Sequence, residues 1–268
     1  ELLASCKQGL TFFEREEKDL GLILFPQVLE HLARVDRVLS QDGGHLLLAG
    51  RSGVGRRCAT TLVSYMLGYH FVTPSVTRDF GVSAFRNELK AAIQTAGFEG
   101  ESTVLYLEDR HFTSDAILET VNSLLSSGEV PGLYTHEELE PLLAPLKEKA
   151  MEAGVFRNAY EFFVHQVQQC LHVVIGMDPT NPKYLLRCES NPALYTRCTM
   201  LWMGSWSRTS MAELPTMLPG VAEMLRGEFE DEEEETKGGE GKEGEGKFSE
   251  GKDDLDMGGL SRNTRLAD

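Results

Sequence analysis

A glycine-rich loop between an apolar strand and an amphipathic helix is the feature that most constrains this chain. The run "HLLLAG" (45–50) is typical of a buried parallel strand, and the sequence "RRCATTLVSYML" after the loop has helical spacing. Gly50, Gly53 and Gly55 leave the backbone between them free to turn tightly. A loop of the form G-x-x-x-x-G-K-[ST] surrounds a β-phosphate with backbone N–H groups, while its Lys neutralises phosphate oxygens and its hydroxyl holds Mg²⁺. The spacing therefore predicts a phosphate-binding loop, with a tight strand-to-helix connection as the alternative.

Two arginines replace the side chains that this chemistry normally uses. Arg56 stands at the Lys position and keeps the charge in a larger, planar group, while Arg57 removes the metal-binding hydroxyl. Cys58 is shifted in register and does not replace that hydroxyl. We expect the loop to hold the phosphates of ATP or ADP and to organise Mg²⁺ poorly. Its candidate binding residues are Gly50, Ser52, Gly53, Val54, Gly55, Arg56, Arg57 and Cys58.

Apolar strands alternate with amphipathic helices along the rest of the chain, which predicts an α/β fold with a parallel five-stranded sheet between helices. The predicted strands are 45–50, 70–74, 103–109, 171–179 and 198–204. The predicted helices include two within 1–40 and others at 56–67, 82–97, 114–128, 136–154 and 158–170. Ser114 is the expected N-cap of one helix, and Gly97 is the expected C-cap of another.

Carboxylates follow two of the predicted strands. "TVLYLED" ends in Glu108 and Asp109, where a metal-binding Asp followed by a water-polarising Glu is the usual order. The exchange displaces each carboxylate by one methylene, and a misplacement of about 1 Å can cost on the order of a hundredfold in rate. The next strand ends in "MDP", whose Asp178 would repel a γ-phosphate unless Arg56 or Arg57 compensates. If Mg²⁺ binds at all, Glu108 is the expected ligand, and hydrolysis is expected to be weak or absent.

Composition divides the chain into unequal parts. The hydrophobic fraction of 41% allows a sizeable core, but residues 228–256 carry 14 Asp and Glu against 4 Lys. Such a segment buries too little apolar surface to offset the entropy of ordering, which predicts disorder. The expected organisation is a helical segment (1–40), a P-loop core (41–205), the start of a helical lid (206–226) and a disordered acidic tail (227–268).

Several function classes are disfavoured by composition. No basic face indicates nucleic acid, and no apolar stretch reaches membrane length. Five Cys without metal-like pairing indicate reduced thiols and a cytosolic type of compartment. The chain begins with Glu1 rather than Met, so we expect it to be a fragment or a trimmed part of something longer.

Long motifs in residues 1–210 resemble one AAA+ module of the dynein heavy chains, and specifically the fourth module of their ring of six. The resemblance is carried by "NSLLSSGEVPGLY" (122–134), "LHVVIGMDP" (171–179) and "SNPALYTRCTMLWMGSWS" (190–207). "GLTFFEREEKDL" and "GGHLLLAGRSGVGRR" are similar to the dynein heavy chains that drive retrograde intraflagellar transport. A stalk coiled coil should follow such a module, and its heptads are absent here.

The resemblance implies roles for three further residues. Arg197 of "YTRC" matches the arginine finger, which stabilises γ-phosphate charge in the preceding module rather than in its own. Ile23 and Leu24 match the apolar strip that covers adenine, with core packing as the alternative.

The resemblance also implies a setting: a regulatory ATP- or ADP-binding module of a microtubule minus-end-directed motor, in cytoplasm, cytoskeleton and cilium. Its partners would be the neighbouring AAA+ modules and, through the full motor, intermediate and light chains and microtubules. Neither nucleic acid nor membrane is an expected partner. An active ATPase with substituted residues remains an alternative, as does a structural module in which Arg57 pairs with Glu108 and fills the metal site.

Overall fold

A parallel β-sheet between two layers of helices organises the chain. The structure, a computed structural model, describes residues 2–218 together with Val221. The strands are β1 (His45–Gly50), β2 (His70–Val72), β3 (Thr103–Glu108), β4 (Leu171–Met177) and β5 (Cys198–Met203). The α-helices are α1 (Leu2–Glu16), α2 (Pro26–Leu39), α3 (Arg56–Met66), α4 (Val82–Gln94), α5 (Asp115–Ser127), α6 (His136–Leu143), α7 (Leu146–Ala153), α8 (Ala159–Cys170), α9 (Tyr184–Ser190), α10 (Ala193–Thr196) and α11 (Arg208–Met217).

The strand order is β2-β3-β4-β1-β5, with every neighbouring pair parallel. All seven residues of β4 are buried, since this strand lies between β3 and β1 with helices on both faces. Register aligns Glu108 of β3 with Gly176 of β4, and Leu48 of β1 with the same glycine. The predicted α/β fold with five parallel strands is confirmed.

Each face of the sheet has its own apolar core. One core joins Leu47, Leu105 and Ile175 to side chains of α4, α5 and α8. The other joins Leu48 and Tyr106 to side chains of α1, α2 and α3. Alternate residues of a strand point to opposite faces, so each central strand contributes to both cores.

The helix predicted to end at Gly97 ends differently. α4 stops at Gln94 and a π-helical turn, Thr95–Glu99, follows it, with Gly100 in the left-handed region at φ 80°. Gly97 is buried inside that turn, where a Cβ would lie 2.5 Å from Cε2 of Phe163. The glycine therefore allows close packing against α8 and is not a cap, so this prediction was wrong.

Other boundaries differ by smaller amounts. The helical stretch predicted for 136–154 is two helices, α6 and α7, separated at Ala144 and Pro145. Ser114 occupies the N-cap position of α5 with extended backbone, but its hydroxyl makes no capping hydrogen bond. Strands β2 to β5 each end one or two residues before their predicted limits.

The segment that leaves β5 is attached to the beginning of α2 by one side chain. Gln27 accepts hydrogen bonds at Oε1 from the backbone N–H of Ser207 (3.1 Å) and the hydroxyl of Ser210 (3.3 Å). Its Nε2 donates to the carbonyl of Ser205 at 3.5 Å. Trp206 packs edge-on against Phe25 with ring centroids 4.9 Å apart. The exit of β5 is thus fixed to α2 by both polar and aromatic contacts.

The predicted acidic tail, 227–268, lies outside the described residues. Among the helices that the structure describes, none is long and apolar enough to span a membrane.

Candidate nucleotide site

The loop after β1 has the backbone shape of an anion-binding turn. Gly53 and Gly55 have φ angles of 90° and 81°, in the left-handed region that favours glycine, and a Cβ at either would meet nothing within 4 Å. Gly55 is also the N-cap of α3, and no side chain caps the helix there. The first N–H groups of α3 and its positive dipole end therefore remain available to an anion.

Side chains of the predicted loop residues divide between core and surface. Val54 is buried in the core beneath the loop, whereas Arg51, Ser52 and Arg57 are exposed. Cys58 is half-buried on α3. The loop thus keeps one apolar side chain in the core and leaves Arg51 and Arg57 exposed beyond the carboxyl end of β1.

Arg56 turns back toward the end of β4. Its Nη1 lies 3.5 Å from the point that a Cβ on Gly176 would occupy, and the hydroxyl of Tyr106 lies 3.1 Å from the same point. This Nη1 is fully buried and has no hydrogen-bond acceptor among the described residues. A buried donor without a partner costs about 1–3 kcal/mol, so the geometry favours an acceptor supplied by a ligand.

Glu108 at the end of β3 has both carboxylate oxygens engaged. The hydroxyl of Tyr106 donates to Oε1 at 2.9 Å, and Nε of Arg110 pairs with Oε2 at 3.1 Å. Burial, followed by the charge of Glu108, raises the pKa of Tyr106 far above its usual range, so the phenol stays protonated and remains a donor. The ionic partner of Glu108 in the described chain is Arg110, not Arg57.

Asp109 is engaged in the same way. Nη1 of Arg187 donates to Oδ1 at 2.7 Å, and the backbone N–H of Asp178 donates to Oδ2 at 2.7 Å. The Arg187 side chain is only 11% exposed, and its Nη2 donates to the carbonyl of Phe112 at 3.1 Å. A more distant contact comes from Nδ2 of Asn181 at 3.4 Å. The carboxylate therefore joins the ends of β3 and β4 to α9.

Asp178 closes the turn after β4. Its Oδ1 accepts from the backbone N–H and the hydroxyl of Thr180 at 2.9 and 2.7 Å. Burial works to raise the pKa of Asp178, but the Thr180 hydrogen bonds and the charges of Arg56 and Arg51 outweigh it, so the net pKa is lowered. The carboxylate is ionised near neutral pH and faces the arginines of the loop.

His111 fixes the position of this acidic strand end. Its Nδ1 accepts from the backbone N–H of Glu108 at 2.7 Å, and its Nε2 donates to the carbonyl of Pro74 at 3.0 Å. Burial, reinforced by the charge of Arg110, lowers the pKa of His111. The neutral ring thus ties the segment after β2 to the end of β3.

Arg197, Ile23 and Leu24 do not join this cluster. Arg197 precedes β5 at the opposite end of the sheet, where its Nη2 donates to the carbonyl of Ser126 at 3.4 Å. Six residues of β5 separate the two ends by about 17 Å. Ile23 and Leu24 are half-buried before α2 and pack on the same core as Trp206.

Two histidines lie near Arg197 at that opposite end. His45 accepts at Nδ1 from the backbone N–H of Val173 (3.1 Å), and His172 donates from Nδ1 to the carbonyl of Gly44 (3.0 Å). Burial, with smaller contributions from His172 and Arg197, lowers the pKa of His45 to about 4. Burial also lowers the pKa of His172. Both rings are therefore neutral near pH 7.

Sequence reasoning missed three residues of the site: Tyr106, His111 and Arg187. Tyr106 offered one signal, because a tyrosine two positions before Glu108 lies on the same strand face. Arg187 offered none, since 78 positions separate it from Asp109.

The residues fit a nucleotide's phosphates better than they fit Mg²⁺. The glycine loop and the uncapped α3 suit an anion. The carboxylates that would serve a cation are bound to protein donors, and within residues 2–218 no group of three or more His, Cys, Asp or Glu is arranged to hold a metal ion. The arrangement is suited to gripping a phosphate chain with cationic side chains.

Several known proteins are similar in sequence to this chain. The family described as "P-loop containing dynein motor region D4" matches residues 20–226. The chain is 51% identical over 212 residues to cytoplasmic dynein 2 heavy chain 1 of Homo sapiens, a match that covers 79% of this chain and 5% of that protein. It is 47% identical over 217 residues to cytoplasmic dynein 2 heavy chain 1 of Chlamydomonas reinhardtii, covering 80% of this chain and 5% of that protein.

A more distant relative aligns over the same region. The cytoplasmic dynein heavy chain of Dictyostelium discoideum is 35% identical over 218 residues, which cover 80% of this chain and 5% of that protein. This chain thus spans about 5% of the length of the curated relatives that it matches.

Proposed function

This chain belongs to the dynein heavy chain family, as a motor module of the D4 type, and from that premise we propose that it is a regulatory nucleotide-binding module. It binds ATP or ADP at the loop after β1 and hydrolyses little or none of it. The module comprises a helical segment (1–40), a P-loop core (41–205) and a lid that begins at 206.

Retained backbone geometry supports binding. The left-handed glycines and the free N-terminus of α3 are independent of the two arginine replacements, because they depend on the main chain. The loop arginines add positive charge, and the buried Nη1 of Arg56 needs an acceptor that a phosphate oxygen would supply. This orphaned donor favours a nucleotide-bound module over a purely structural one.

The hydrogen bonds that Asp109 already makes to the protein are the main observation that supports a loss of hydrolysis. A general base must reach the proton of the attacking water with a free lone pair. Asp109 instead holds Arg187 on one oxygen and the backbone of Asp178 on the other. With the contact from Asn181, three of the about four lone-pair sites of this carboxylate are engaged, so little capacity remains to orient an attacking water, which disfavours that alternative.

The assembled motor supplies the partners in this proposal. Arg197 lies too far from the loop of its own chain to touch the same nucleotide, which supports a role at the preceding module. The neighbouring AAA+ modules are then direct partners. Intermediate and light chains, microtubules, the cytoplasm and cilium, and retrograde intraflagellar transport belong to the full motor, as the dynein 2 relatives indicate.

Two measurements on the purified chain test the proposal. Calorimetric titration with ATP and with ADP should give saturable binding with a Kd tighter than about 1 mM, equivalent to about 4 kcal/mol. Phosphate release in Mg²⁺ should not exceed the background, and Asp109→Asn should leave it unchanged. The matched control is Asp115→Asn, which removes an exposed carboxylate from the first turn of α5.

Either of two results would contradict the proposal. Mg²⁺-dependent phosphate release that Asp109→Asn abolishes and Asp115→Asn preserves would identify an active ATPase. A lack of binding by a folded protein would identify a structural module.

A further inference from the structure

All four carboxylate oxygens at the end of β3 are already bonded to the protein. Glu108 accepts from Tyr106 and pairs with Arg110, while Asp109 accepts from Arg187 and from the backbone of Asp178. Mg²⁺ in phosphate sites needs one or two carboxylates to hold it or its waters in near-octahedral geometry. Each oxygen keeps lone-pair capacity beyond these contacts, but the contacts fix both carboxylates toward protein donors, so a cation would have to accept that orientation or displace one of them.

The loop side of the same space is occupied by positive charge instead of a hydroxyl. Arg57 stands where a Ser or Thr would reach the metal. Arg56 brings its guanidinium between the loop and the end of β4, and its buried Nη1 has no acceptor among the described residues. Gly176 leaves room at this position, because a Cβ there would lie 3.1 Å from the Tyr106 hydroxyl and in contact with Arg56.

We propose, on the basis of the nucleotide-binding function above, that this site binds its nucleoside di- or triphosphate without a divalent cation. The guanidinium of Arg56 takes the cation's place beside the phosphates. Tyr106 and Arg110 determine this preference by occupying Glu108.

Arginine suits this substitution for physical reasons. Its planar guanidinium pairs with two phosphate oxygens at once and is more weakly hydrated than an ammonium ion. Mg²⁺ gives up its waters reluctantly and demands a fixed geometry. In this site the guanidinium of Arg56, which is part of the chain, therefore replaces a Mg²⁺ ion that would have to bind from solution.

A comparison of two buffers provides the first test. The Kd of ADP for the wild-type chain is measured by calorimetry in excess Mg²⁺ and in excess EDTA. The two values should agree within about threefold, or roughly half of the 1.4 kcal/mol that a tenfold change represents. A Kd that is about tenfold or more weaker in EDTA would overturn the proposal.

A variant pair assigns the effect to these residues. The double variant Arg57→Thr/Tyr106→Phe restores a hydroxyl and frees Oε1 of Glu108, so ADP binding should become tighter in Mg²⁺ than in EDTA. Paramagnetic resonance of Mn²⁺ should then show a protein–nucleotide–metal complex that the wild type lacks. The matched control, Arg37→Thr/Tyr134→Phe, removes an exposed Arg on α2 and a hydroxyl that donates to the backbone carbonyl of Lys90. It should keep the wild-type behaviour.

The outcomes separate this inference from the function on which it rests. Absence of ADP binding in both buffers contradicts nucleotide binding itself. Binding that depends strongly on Mg²⁺, a wild-type Mn²⁺ complex, or a folded double variant that binds ADP with equal affinity in both buffers contradicts the metal-free site alone. Circular dichroism of each variant establishes that it is folded, and the wild-type measurement stands without any variant.

Discussion

The two ends of the parallel sheet differ in the charge of their ionisable side chains. At the carboxyl end, Glu108 and Asp109 remain beside arginines, and each is held by a partner at about hydrogen-bond distance. At the amino end, burial lowers the pKa of His45 and of His172 and keeps both rings neutral. Charge is thus concentrated at the end where a parallel sheet offers its ligand site.

Under the proposed function, this difference separates what binding needs from what hydrolysis needs. The main chain of the loop is suited to phosphate, while the carboxylates of Glu108 and Asp109 are paired with arginines outside the loop. Phosphate binding depends mainly on the main chain, whereas hydrolysis depends on side chains. Changes in side chains can therefore abolish hydrolysis without abolishing binding. Three substitutions probe the comparison, beginning with the largest expected effect.

Gly55→Val should weaken ADP binding by about a hundredfold, which corresponds to about 2.7 kcal/mol. The φ angle of 81° is strained for a β-branched residue, although a Cβ there would touch nothing within 4 Å. The loop should therefore leave its binding conformation without a direct steric clash. Calorimetric titration measures the effect, and unchanged affinity would show that the loop backbone does not hold the nucleotide.

Arg187→Ala should lower the free energy of unfolding by about 2 kcal/mol, because it leaves Asp109 partly buried without its ionic partner. The Tm should fall by about 4–8 °C for a chain of this size. The matched control is Arg34→Ala, whose pair with Glu30 is more than half exposed and should contribute less than about 0.5 kcal/mol. Equal effects of the two substitutions would show that the Arg187–Asp109 pair stabilises the fold no more than an exposed surface pair does.

His45→Asn, at the amino end of the sheet, should reduce the dependence of the free energy of unfolding on pH. The folded-state pKa of His45 is about 4, below the unfolded value of about 6.5. The unfolded chain therefore binds the extra proton, and stability is lost as pH falls from 6.5 toward 4. Between pH 7 and pH 5 this loss should be about 1.8 kcal/mol for the wild type.

Asn suits this test because its Oδ1 can still accept from the N–H of Val173. Denaturant unfolding at several pH values measures the slope, with the exposed His136→Asn as the control. An unchanged slope in His45→Asn would mean that other groups cause the acid sensitivity.

The structural elements that depend on local sequence patterns could be predicted from the sequence. The strand, glycine loop and helix around residues 45–66 follow from apolar periodicity and glycine placement, and the structure has them where the pattern indicates. The same reasoning failed at Gly97, because a glycine required by close packing against α8 looks like a glycine that ends a helix.

The side-chain pairing at the site could not be found in this way. Arg187 reaches Asp109 only after β4 brings α9 beside the end of β3, and this short helix was not predicted. Glu108 likewise pairs with Arg110, two positions away, rather than with the arginine of the loop. Which of several nearby cations meets a carboxylate depends on rotamers and register, which the order of residues does not specify.

Gln27 has a consequence that concerns load rather than chemistry. Its three hydrogen bonds connect α2 to Ser205 and Ser207 before α11 and to Ser210 in the first turn of α11. Because one side chain makes all three bonds, the start of α11 cannot move away from α2 without displacing Gln27 or breaking these bonds. A displacement of α11 would therefore act on the first turn of α2 through this side chain.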